Sequence, residues 1–354
     1  YLLVNGAYLY TLGHAGLAAS TTPATDTVAF PLGFTNYNLG KASTVYLNGT
    51  AAQILYSLPV YGNVIMSGGD TVYLDGNVDI DGNLDLNNVT LVDNGYNLNL
   101  AGSTIYLTYY FPSLSSKVIF DGTDQNIYDD QTNVLRFNKV EFLGAGTKRL
   151  GDGNDSIKIA DSVVIGSDAI VSFYRYINFS GPSWINQGTL SHTGNTFTLD
   201  GDTLQRIDLG ANNNIYRLNF AGTGTKVFYN NGARISDDFL LTGVCSVYTG
   251  SDTFYIGDDL TISSGTLISD STNFYFNGNG YQYIDGIVAN DVIIGGAYTK
   301  YLNGDWVVNN LTINSGVYLN TSAASYNITV RGDWINNGVF VDQNSTVTFA
   351  GSKD

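Results

Sequence analysis

Cysteine occurs once in this 354-residue chain, at Cys245 in LLTGVCSVYTG. No disulfide can form within it, and a lone cysteine among apolar neighbours reads as core filler rather than a nucleophile. Glutamate also occurs once, at Glu141, so aspartate supplies the other 30 of the 31 acidic residues. Methionine appears once (Met66), and lysine and arginine together number 15. Scarcity of these helix formers excludes a helical bundle. No apolar run reaches membrane-spanning length, which argues against insertion by a helix. The shortage of positive charge leaves a net charge of −16. That balance argues against nucleic acid and anionic membranes as partners, and suits divalent cations or plain solubility. The two histidines, His14 and His192, have no ligand-spaced partner, so no histidine metal site is expected and both read as surface residues. The chain opens at Tyr1 without an initiator methionine or a signal-peptide pattern, which reads as processing or a fragment.

What is abundant is the material of strands and tight corners: 41 glycines, 26 tyrosines, and much asparagine, aspartate, valine and threonine. The segments VYLNG (45–49), VIFDG (118–122), FTLDG (197–201), FYFNG (274–278) and VTFAG (347–351) recur at intervals of roughly 75 residues. Each of the first four leads into a polar turn carrying Gln53, Asn126, Gln205 or Gln282. Further on come GGDTVYL (68–74), GAGTKRL (144–150), GTGTKVF (222–228) and GGAYTKYL (295–302). Four long copies follow, at 45–117, 118–196, 197–273 and 274–346, with a fifth opening at 347–354. Residues 1–44 lack this rhythm and read as an N-terminal cap or transition segment.

Each copy divides again. An apolar-x-apolar-x-Gly pattern ends at thirteen glycines from Gly49 to Gly351, a mean spacing of about 25 residues. A unit of that length with short strands and no helix cannot bury its own apolar face, but stacked on copies of itself it can. The fold expected is all-β: a right-handed parallel β-helix (a β-solenoid) over 45–354, with about 13 coils of about 25 residues. At roughly 4.8 Å per coil this makes a rod roughly 60 Å long.

The stretch LDGNVDIDGNLDLNNVTL (74–91) tests that reading, because Asn77, Asp79, Asp81, Gly82, Asn83 and Asp85 nearly match a calcium-binding EF-hand loop. An EF-hand needs a bidentate glutamate at its twelfth position and flanking helices; the twelfth residue here is Asn88. Val78, Ile80, Leu84 and Leu86 alternate with the acids as in a strand facing a core. Asp79, Asp81 and Asp85 therefore point outward, either as a solvated acidic face or as a surface Ca²⁺ site. No other cofactor is indicated.

GDWINNGVFVDQNSTVTFAG (332–351), with weaker echoes in GPSWINQGTL (181–190) and TVYLNGTAAQ (44–53), resembles a repeat of large secreted surface proteins of Bacteroidota. The resemblance spans residues 45 to 351. It implies an adhesin-like solenoid at the cell surface or secreted, exported as a type IX substrate, although no sorting domain follows residue 354. The three tryptophans, Trp184, Trp306 and Trp334, each lie two or three residues after a corner glycine. Exposed, they would form a ladder for stacking sugars; the alternative is that they plug the coil corners.

Because β-helices also host polysaccharide-cleaving enzymes, converging carboxylates matter. Adjacent acids occur at Asp129–Asp130, Asp237–Asp238 and Asp258–Asp259 and read as solvated turns. The fragments GHA (13–15) and SIKI (156–159) are in the wrong order for a polygalacturonase-like set. Eight Asn-x-Ser/Thr sequons and short motifs such as DTV (26–28) arise readily in this composition. With no catalytic residues indicated, the sequence points first to a non-enzymatic extracellular structural or adhesive stalk that meets surface glycans. A self-assembling filament or sheath, its copies joined end to end, comes second, and a polysaccharide-active enzyme third.

Overall fold

The computed structural model describes residues 2–4, 8–11, 37–49, 51–58, 60–108, 110–129, 134–151 and 156–351. His14, the DTV at 26–28, Asp130 and Asn154, with most of the 1–44 segment, lie outside them. The described chain is all-β, with no helix, and its parallel strands stack as a β-solenoid of about 14 turns. No helix is long and apolar enough to cross a membrane. Two compact units are present: Tyr1–Ile177 with Asn186–Thr189, and Asn178–Ile185 with Leu190–Asp354.

In the first unit Val78 pairs with Leu98, Leu98 with Val118, Val118 with Val140 and Val140 with Val163. In the second, Phe254, Phe274, Val292, Leu311 and Trp334 pair in succession. Each such step is one turn of the solenoid, and a turn therefore takes only roughly 20 residues. This is shorter than the glycine spacing implies, because the recurring glycines occupy more than one corner. A Cβ on Gly278 would collide with the carbonyl oxygen of Gly257, and one on Gly296 with that of Gly278. Gly304 instead abuts Gly286, at another corner. Only glycine lets successive backbones approach this closely.

Alternation fills the interior. Val78, Ile80, Leu84 and Leu86 are buried, as the pattern requires. Aromatic rings pack from turn to turn, Phe120 stacked on Phe142 at 5.4 Å between centroids in the first unit and Phe220 tilted against Phe239 at 4.9 Å in the second. His192 departs from expectation. It is fully buried within the strand Thr189–Leu199, its ring 6.0 Å from that of Phe197, and is not a surface residue. Its neighbourhood in LSHTGN looks like a turn, but the strand continues through it. Cys245 is buried and its thiol is pushed up by that burial, consistent with filler.

The same parity places polar groups inside. Gln125, Gln205 and Gln282 are buried, and each Oε1 accepts from the corner glycine of its motif: Gly122 N at 3.1 Å, Gly201 N at 3.1 Å and Gly278 N at 3.0 Å. Each Nε2 donates to two carbonyls of the preceding turn, Leu100 and Gly102 in the first case. Gln125, not Asn126, is thus the counterpart of Gln53, Gln205 and Gln282. In register with these glutamines, one turn on, stand Lys148, Lys226 and Lys300. All three lysines are buried. Lys300 Nζ donates to the carbonyls of Gly278 (2.8 Å), Gly280 (3.1 Å) and Ala297 (2.6 Å). In the first copy the register partner of Gln53 is Val72, so the ammonium is missing there.

Candidate functional site

In the first unit, corner residues of successive turns line an open cleft of about 560 Å³. Its charged members are Lys41, Asp81, Asp121 and Asp124. Asp81 follows the strand Val78–Ile80 and Asp121 follows Lys117–Phe120, two turns on; Ala101 occupies the turn between. A small residue at that point leaves open the space between the two carboxylates. Loss of surrounding water in the cleft pushes the carboxyl of Asp121 up, and Asp81 adds to the effect, while Lys148 opposes it. Asp79 is raised by burial and then by Asp81 and Asp121.

The calcium trio reads differently in three dimensions. Asp79, Asp81 and Asp85 are all half-buried on the outer surface, but they do not converge. Asp81 faces the 560 Å³ cleft, whereas Asp85 lines a separate one of about 270 Å³ with Thr104 and Tyr106. Among the described residues, the acids whose ligand oxygens gather within 4.8 Å of one another are Asp237, Asp238 and Asp258. Asp121, the carboxyl that Asp81 raises across the cleft, comes from another turn, which a linear loop motif cannot encode. Replacing Asp121 with asparagine should raise the melting temperature at pH 7 by a degree or so, about 0.5 kcal/mol or less at such an exposed position. The gain should vanish below pH 3, where the carboxyls are protonated; a gain that persisted there would discount the charge argument. Calorimetry with and without millimolar Ca²⁺ should give one transition temperature for the first unit. A rise removed by Asp85→Asn would restore the trio as a site.

The second unit carries the acid pairs Asp237–Asp238 and Asp258–Asp259. Phe239 pairs with Leu260, so the register sets one acid pair on the other, a turn apart. Leu218 pairs with Phe239, which brings Arg217 beside the first pair. Its guanidinium forms ion pairs with Asp237 and with Asp238, Nε lying 2.9 Å from Oδ2 of the latter. The carboxyls of Asp258 and Asp259 are pushed up by burial first, and neighbouring acids add to the rise. These pairs are a stacked, partly neutralised cluster rather than separate turns. Their recurrence one turn length apart in the chain is the sequence signal for this stacking.

Trp184 and Trp306 are interior residues. Trp184 lies 4.7 Å from Phe197 between ring centroids, and Trp306 donates its Nε1 proton to Asp285 O at 3.2 Å. Trp334 is half-buried, with its ring edge-on to Phe340 and Phe349. A three-ring ladder for sugars is therefore not what the fold presents; the first two tryptophans plug the coil.

The chain matches no protein-family model, no curated protein and no solved structure.

Proposed function

We propose that the chain serves as a non-enzymatic structural and adhesive stalk at a cell surface or in a secreted protein. The observation that carries this reading is the repeated sealing of the interior. Copies two, three and four use the same buried glutamine with the same buried lysine one turn on. Such a device preserves one geometry through successive turns and leaves the outer face free to vary. The resemblance to Bacteroidota surface repeats supports the extracellular placement and export by the type IX route.

Two other readings each draw on one observation. An enzyme is favoured by Asp121, raised beside Asp81 in the 560 Å³ cleft. A filament subunit is favoured by the in-register parallel pairing of Phe254, Phe274, Val292 and Leu311, a backbone ladder that a further copy could extend by the same bonds. One experiment separates all three. The purified chain is incubated with neutral and acidic polysaccharides while reducing ends are measured, and its mass is followed by sedimentation over a hundredfold concentration range. The stalk reading expects no new reducing ends and a constant mass. Cleavage abolished by Asp121→Asn would establish the enzyme, and mass that grows with concentration would establish the filament.

A further inference from the structure

We infer that Arg234 and Tyr255 form the centre of a groove on the second unit that binds a neutral saccharide chain. This deepens the adhesive reading and rests on it. Arg234 stands in register with Tyr255 on the next turn, and Ile235 and Ile256 beside them point inward. Alternation therefore turns both functional side chains outward. The guanidinium carbon lies 4.1 Å from the centre of the Tyr255 ring. That stack holds a long side chain in one orientation before any ligand arrives, which lowers the ordering cost of binding.

Two clefts, of about 220 and 410 Å³, share Arg234 and Tyr255 as a common wall. Asn214, Ser236, Asn277 and Asn279 complete the polar lining of the larger one. Among the described residues Arg234 makes no ion pair, and the side-chain amides of Asn277 and Asn279 make no hydrogen bond. The larger cleft thus offers a fixed donor fork and two free amides, each able both to donate and to accept. The smaller adds the carboxylate of Asp252, an acceptor. Mixed donors and acceptors lining one groove match a sugar, whose hydroxyls both donate and accept.

Charge selects among sugars. The chain carries −16 overall, and Asp237 and Asp258 directly follow Ser236 and Gly257 of the cleft lining. One guanidinium does not offset that field for a polyuronate, so a neutral chain is favoured.

The test is calorimetric titration of the whole chain with cellohexaose, mannohexaose, laminarihexaose and maltohexaose, with hexagalacturonate as the charged comparison. At least one neutral hexasaccharide should bind at submillimolar concentration, and Arg234→Ala should weaken it tenfold or more. The Asn277→Ala/Asn279→Ala double variant should weaken it too, with melting temperatures unchanged in both. No neutral binding at millimolar concentration, binding indifferent to Arg234→Ala, or preference for hexagalacturonate would overturn the proposal. Adhesion of the chain to glycan-coated surfaces, measured alongside, separates the two readings. If Arg234→Ala adheres like wild type, the groove falls and the adhesive stalk stands. If wild type adheres to no surface, the adhesive reading falls as well.

Discussion

Replacing Asp129 with alanine should destabilise the first unit by about 3–5 kcal/mol. Asp129 forms an ion pair with Arg175, two turns away in the same unit, and their side chains are 1% and 0% exposed. Removing the carboxylate takes that counter-charge from a guanidinium in the interior, and the desolvation of the guanidinium is then poorly offset. The surroundings cannot readily adjust. Gly151 sits against Arg175 with a φ of +79°, and a Cβ there would collide with the Arg175 side chain. Gly151→Ala should therefore also destabilise, through steric conflict together with a backbone conformation that L side chains rarely adopt. By contrast, the apolar double replacement Asp129→Leu/Arg175→Met should lose less than Asp129→Ala alone, because both charges leave together. Hydrogen exchange read on the strands Gln125–Tyr128 and Ala169–Phe173 reports the opening free energy of this unit. A loss below about 1 kcal/mol for Asp129→Ala would show that water reaches the pair.

That ion pair also marks the limit of what the sequence displays. Alternation made the stacked β architecture legible: Val78, Ile80, Leu84 and Leu86 are inside because every second residue must be. Glycine marked the corners but not the period, since several corners of one turn need it. The same parity could have found the interior lysines. In TKRL, TKVF and TKYL the lysine lies two residues before a buried Leu150, Phe228 or Leu302, so Lys148, Lys226 and Lys300 share its side of the strand. The habit of assigning lysine to the surface hides this, as it hides the one-residue difference between Gln125 and Asn126. Contacts between turns were illegible for another reason. Asp129 with Arg175, Asp81 with Asp121, and Arg234 on Tyr255 each lie one or two whole turns apart along the chain, and only the register brings each set together.

Lys300→Met should destabilise the second unit by about 1–3 kcal/mol at pH 7, and its deficit relative to wild type should grow as the pH rises from 8 to 10. The first effect follows from the carbonyls of Gly278, Gly280 and Ala297, which lose a donor. The second follows from the ammonium itself. Burial lowers its pKa to about 8, with Asp258 opposing the shift, against roughly 10.4 in an unfolded chain. Between those values the unfolded state binds a proton that the folded state does not, so wild-type stability rises with pH. Below about 8 lysine is charged in both states, and the cost of burying the charge is borne in full. Methionine has no proton to release, so the variant lacks this share of the gain. Lys226, in the same unit and also lowered by burial, keeps its share in both proteins and cancels in the comparison. Urea unfolding at half-unit steps from pH 7 to 10 measures the gap directly. A gap that stayed constant over that range would mean the three carbonyls hold the ammonium charged well above pH 8.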